Sequence, residues 1–126
     1  MNRWTLRTAA TSYTVEVPEH GRWAELSSWG PIGVEDGPSP LAGHGRTPFR
    51  TAADAAPAEY LPTGLRPFGG ADLDVRRPGG ERGSWWSFAG ERTTEAGELR
   101  LAFTDDVLGL NAVLCYQTVP GTAKAI

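Results

Sequence analysis

The residues with the most chemical reach in this chain are its carboxylates, and Asp72, Asp74, Asp105, Asp106 and Glu59 are the ones placed near recognisable elements. Cleaving a glycosidic bond takes two carboxyl groups on opposite faces of a sugar, about 5–5.5 Å apart for retention and about 6.5–9.5 Å for inversion. On an extended strand Asp72 and Asp74 share one face at about 7 Å. A solvated strand face produces the same pattern, and Asp105-Asp106 reads first as a turn. None of the motifs G-x-S-x-G, G-x-x-x-x-G-K-[ST], G-x-G-x-x-G or H-E-x-x-H occurs. No catalytic residue is assigned on these grounds.

The two histidines add little. His20 falls in the turn Pro18-Glu19-His20-Gly21, and His44, between Gly43 and Gly45, has no second ligand at metal spacing. The single cysteine, Cys115, excludes an internal disulfide, and with no His or helix start nearby it reads as a packing residue. No metal site and no cofactor is expected. Aromatic rings are the other chemical resource, because their faces stack on the apolar face of a sugar ring. Phe49, Tyr60 and Trp85 are the sugar-contact candidates, weighed against a role for Phe49 and Tyr60 in anchoring a loop and against burial of the Trp85-Trp86 pair between two sheets.

The elements that must position these groups are strands. Leu99, Leu101 and Phe103 fall on one side of an extended chain, and Leu108, Leu110, Ala112, Leu114 and Tyr116 repeat that period of two after the polar turn Thr104-Asp105-Asp106. This pattern predicts two long antiparallel strands. A lone hairpin is marginal in water, so upstream strands must cover it. They are expected at Trp4 to Thr8, Thr11 to Val17, Arg22 to Trp29, Ala71 to Val75 and Ser84 to Phe88. Turns are expected at Pro18 to Gly21, Gly30-Pro31 and Arg77 to Gly80, with a polar link over 90–97. Between Gly30 and Ala58 lies a long loop with five prolines, in which Thr51 to Ala56 suits a single helical turn. The fold class is all-β, an antiparallel β-sandwich.

With 126 residues the chain is one domain, enough to bury roughly two thirds of the surface its unfolded form exposes. A net charge of −3 with scattered arginines offers no basic stripe, so nucleic acid is not an expected partner. No apolar run is long enough for a membrane span, and the N-terminus lacks the apolar core of a signal peptide, which makes a cytoplasmic location the default expectation.

The order of features carries a resemblance. A Trp near the start, the strand Ser12-Tyr13-Thr14-Val15, a turn closing on Gly21, a strand closing on Trp29-Gly30 and a long loop come first. Then follow Glu59-Tyr60, Gly64 and Phe68, Leu73-Asp74-Val75, and Leu99-Arg100-Leu101 through Asp105 to Leu114-Cys115-Tyr116. Over nearly the whole chain this resembles the amino-terminal β-domain of glycoside hydrolase family 36 α-galactosidases, in particular those of actinobacteria.

The resemblance implies a β-supersandwich of galactose-mutarotase type that precedes a (β/α)₈ barrel. It also implies retaining hydrolysis of terminal α-galactosides by two aspartates of that barrel. Residues 1–126 would be a partial amino-terminal domain with its long loop at about 30–58 and without the barrel, leaving the Leu108 to Val119 strand as an open apolar edge. By the same resemblance the partners are the catalytic barrel, α-galactoside sugars and further copies of the subunit, with the loop before Glu59 reaching toward a neighbour's active site. Many members carry Gly-Arg-Gly-Asp-Phe where this chain has Gly64-Leu65-Arg66-Pro67-Phe68, so Pro67 removes the carboxylate that a contact there would need. The expectation is a non-catalytic scaffold and interface of an α-galactosidase-like glycoside hydrolase, with a stand-alone carbohydrate-binding module as the alternative.

Overall fold

The computed structural model describes residues 2–19, 21–33, 58–60, 62, 72–80, 85–95 and 97–119. Six strands form in chain order: β1 (Asn2–Arg7), β2 (Thr11–Val17), β3 (Glu25–Pro31), β4 (Ser87–Thr93), β5 (Leu99–Asp105) and β6 (Leu110–Tyr116). They make two antiparallel three-stranded sheets, β1-β2-β3 and β4-β5-β6, packed as a β-sandwich. Among the described residues there is no helix long and apolar enough to cross a membrane.

The alternation read from the sequence is what buries the inner faces. Leu99, Leu101 and Phe103 of β5 meet Leu6, Val15 and Val17 of the first sheet in one core, while Leu110, Ala112, Leu114 and Tyr116 pack half-buried around it. Cys115 lies on the opposite, exposed face of β6. The adjacent tryptophans divide as period two requires, with Trp86 buried and Trp85 exposed.

Trp23 precedes β3 instead of lying within a strand, and it is fully buried. Its ring centroid is 4.4 Å from Phe103 and 5.5 Å from Trp86. Phe88 continues the aromatic series, 5.6 Å from Phe103 and 5.8 Å from Trp4. Tilted pairs at these separations add attraction beyond the area they bury. The backbone also joins the sheets at this end: the Phe88 N–H donates to the Gly21 carbonyl at 2.6 Å. Gly21, at φ +64°, closes the expected turn by donating to Pro18 at 2.8 Å.

Three expectations are corrected. The strand at Ala71 to Val75 does not form among its described residues; Leu73 makes an isolated parallel bridge to Pro62 and packs against the core. The strand set at Ser84 to Phe88 begins at Ser87 and runs on through Thr93, taking in half of the expected polar link. Its ladder with β5 supplies the reason, and a bulge that places Ala89 and Gly90 against one partner re-aims the chain there. The following turn closes on Thr94, whose N–H and carbonyl pair with Glu98 and Gly97 at 2.9 Å while its hydroxyl accepts the Glu98 N–H at 3.1 Å. β3 starts at Glu25 rather than Arg22.

The expected turn after β5 forms, and Asp105 shapes it from the buried end of the strand. One oxygen accepts the N–H groups of Val107 and Leu108, each at 3.0 Å, and the other accepts the Trp85 N–H at 2.8 Å. The carboxylate therefore shapes the β5–β6 turn and holds the entry to β4. The outer face of the first sheet is also drier than its sequence suggests. Ser12, Thr14 and Ser28 are buried, with Thr14 sharing a hydroxyl bond with Thr5 at 2.9 Å. His20, His44, Thr51 to Ala56 and the loop over 34–57 lie outside the described residues.

Because Trp23 contacts aromatics of the second sheet while leading into a strand of the first, replacing it should loosen both. Trp23→Ala is expected to cost about 3–5 kcal/mol. A urea titration followed by near-ultraviolet circular dichroism reads this, and a midpoint within error of the wild type would contradict the central role given to that ring.

Candidate functional site

The polar centre of the domain is Glu59, in the short segment 58–60 that returns to the end of the sandwich. A bridge between Glu25 and Ala58 docks it against β3, and its backbone is held on both sides. The Glu59 N–H donates to the Ala24 carbonyl at 2.9 Å, and the Glu59 carbonyl accepts from the Trp23 indole N–H. The side chain then spans the two sheets. Oε1 accepts the Tyr13 hydroxyl of β2 at 2.5 Å, and Oε2 accepts the Tyr116 hydroxyl of β6 at 3.2 Å.

Both phenols are pushed above their ordinary acidity. For Tyr13 burial is the largest cause, followed by its hydrogen bond to Glu59 and the charge there. For Tyr116 burial again comes first, then the Glu59 charge, its hydrogen bond and the neighbouring Tyr13. Each effect disfavours a phenolate, so both tyrosines remain donors to the carboxylate. Their rings lie 6.3 Å apart, and Tyr13 also meets Trp29 edge-on at 6.0 Å.

The three sugar-contact candidates fare differently. Tyr60 directly follows Glu59, is 61% exposed and adopts φ +44°, a left-handed backbone unusual outside glycine. Trp85 is equally exposed; its backbone N–H donates to Asp105, and its ring is covered on one face by the Arg22 guanidinium, 3.8 Å from the ring centroid. No ring contact joins Tyr60 to Trp85 among the described residues, and Phe49 lies outside them. The ring that the sequence did not single out is Trp29, 64% exposed beside Tyr13.

The carboxylates divide just as clearly. Asp72 and Asp74 are exposed on either side of Leu73, which packs against the core, and Asp74 is 3.5 Å from the Arg76 guanidinium. Asp105 spends its oxygens on three backbone N–H groups, and Asp106 is an exposed turn residue. A groove of about 480 Å³ also runs along β1, where Trp4 and Leu6 face Thr93, Leu99 and Thr118. Glu59 is thus the carboxylate that the fold places among aromatic rings. It reaches them across separations of 46 and 57 residues, which no local motif could have signalled.

No protein-family model and no curated protein matches this sequence. Among solved structures, the α-galactosidase from Lactobacillus brevis superposes with a TM-score of 0.68 at 20% identity, over 90% of this chain. The two share a fold. This chain spans 19% of the length of that enzyme's chain, so the likeness concerns one part of a much larger protein.

The Glu59 clamp makes a prediction about alkaline stability. A phenol whose folded pKa lies above its unfolded value contributes stability that is fully present below about pH 10 and is lost as pH rises from there toward the folded value. Wild-type stability should therefore decline above about pH 10, and the double variant Tyr13→Phe/Tyr116→Phe should lose that part of the decline. At neutral pH, Glu59→Gln should cost about 1–3 kcal/mol, because one phenol then faces an amide donor. Urea midpoints across the pH range read both effects, and an alkaline slope identical in the double variant would refute the assignment.

Proposed function

We propose that the chain is a non-catalytic amino-terminal β-sandwich of an α-galactosidase-like glycoside hydrolase, acting as scaffold and interface beside a catalytic (β/α)₈ barrel that cleaves terminal α-galactosides. The observation that carries this reading is the superposition of nearly the whole chain on a minor part of an α-galactosidase. The use made of the carboxylates supports it: Asp105 is consumed by backbone N–H groups, and Glu59 is clamped between two tyrosines.

A stand-alone carbohydrate-binding module is the second reading, favoured by the exposure of Tyr60 and Trp85. The two differ in self-sufficiency. A module keeps its sheets closed and monomeric on its own, whereas a scaffold presents surface meant for a neighbour.

Under the proposed reading the purified 126-residue chain hydrolyses no chromogenic α-galactoside at any enzyme concentration. Turnover that follows the protein through purification would end it. Size-exclusion chromatography with a thermal melt separates the alternatives. Self-association or a broad transition favours the scaffold, and a sharp monomeric melt raised by galactose favours the module.

A further inference from the structure

We propose that the open edge of β1 takes an acidic peptide as an added strand, one whose side chains alternate between carboxylates and small apolar groups. The inference rests on the groove beside β1 and does not depend on the functional reading above.

β1 is an edge of the first sheet: it pairs with β2, and among the described residues no strand lies on its other side. An edge strand turns alternate N–H and C=O groups outward, where an extended peptide can hydrogen-bond to them. The groove of about 480 Å³ runs along this strand, bounded on its far side by Thr93, Gly97, Leu99 and Thr118. Space is therefore present where a further strand would sit.

The side chains of β1 decide which strand fits. Period two puts Trp4 and Leu6 toward the core and Arg3, Thr5 and Arg7 on the opposite face. Leu6 is buried, Trp4 is half-buried against Phe88, and both arginines are exposed. A strand laid against this edge thus meets apolar side chains at two alternate positions and a cation at either end. Arg3 and Arg7 are four residues apart, about 13 Å along a strand. Carboxylates at i and i+4 of an extended peptide match that spacing, whereas the same pair on a helix is only about 5–6 Å apart. The guanidinium fork takes a carboxylate side-on, with two parallel hydrogen bonds.

Charge selects against the other occupants. The lining of the groove includes these two arginines and no acidic residue. Glu16 stands across from Arg3 on β2, and Glu98, beside the far lip, is paired with Arg100 at 3.1 Å. A second copy of β1 laid antiparallel about Thr5 would set Arg3 against Arg7 at both ends, and like charges directly opposite are destabilising. The arginines thus repel a copy of their own strand and attract an acidic one. A nucleic acid has no backbone N–H and C=O groups with which to continue a sheet, and two arginines neutralise few phosphates.

The test is fluorescence anisotropy of a labelled peptide containing Asp-Val-Thr-Val-Asp, titrated with the 126-residue chain at low salt. Binding should saturate, and it should weaken as salt is raised. Arg3→Glu/Arg7→Glu should lose about tenfold or more in affinity for this peptide and gain affinity for Lys-Val-Thr-Val-Lys, which the wild type should not bind. Alternate N-methylation of the acidic peptide reads the strand pairing without any variant. Methyl groups on the amides that face β1 should abolish binding, and methyl groups on the other set should leave it intact. The proposal is overturned if the folded wild type gives no saturable response, if the two N-methylation patterns bind alike, or if the double variant, folded by circular dichroism, does not exchange one peptide for the other. Displacement of the peptide by oligothymidylate assigns the edge to a nucleic acid, and dimerisation of the peptide-free chain that the double variant abolishes assigns it to a second copy; either result overturns the acidic strand.

Discussion

Trp23 is where the two sheets of this domain become one structure. Each three-stranded sheet has an apolar face that must be buried against another element, so each sheet depends on the other. The side chain that joins them comes from the approach to β3. Trp23 is fully buried against Phe103 and Trp86, and its indole nitrogen reaches the Glu59 carbonyl. One residue thus closes the apolar core and fixes the segment that carries the polar site. A ring of that size in a pre-strand position also explains why β3 begins only at Glu25: the chain must first deliver the indole inward before it can pair with β2.

Polar groups complete the closure at two places. At one end Asp105 binds three backbone N–H groups and sets both the β5–β6 turn and the entry to β4. At the other Glu59 joins β2 to β6 through two phenols. Buried or half-buried carboxylates are stabilising only when their lone pairs are filled. Here the filling is divided, since Asp105 accepts from three backbone N–H groups and Glu59 from two phenols.

The likeness to part of an α-galactosidase concerns the fold. Function is carried by sites grafted on folds, and the same sandwich can serve as a spacer, an interface or a binding face. In this chain Trp29 meets Tyr13 edge-on, and Tyr13 in turn is hydrogen-bonded to the Glu59 clamp.

The fold class, the inward faces of β2, β5 and β6, the Pro18–Gly21 turn and the division between Trp85 and Trp86 were legible in the sequence. Each follows from period-two alternation or from local turn chemistry, which need no knowledge of distant residues. Strand limits were less legible where pairing decides them. The polar residues Gly90 to Thr93 become strand because β5 offers a ladder, while Leu73, in a segment with equally good alternation, makes an isolated bridge to Pro62 among the described residues. The Glu59 clamp lay wholly beyond the sequence. Tyr13 reads as a core-facing strand residue, Tyr116 as the last member of an alternating set, and Glu59 as one carboxylate among several. Only tertiary packing brings them within hydrogen-bond distance, because the contact depends on two sheets meeting at one end and not on any spacing along the chain.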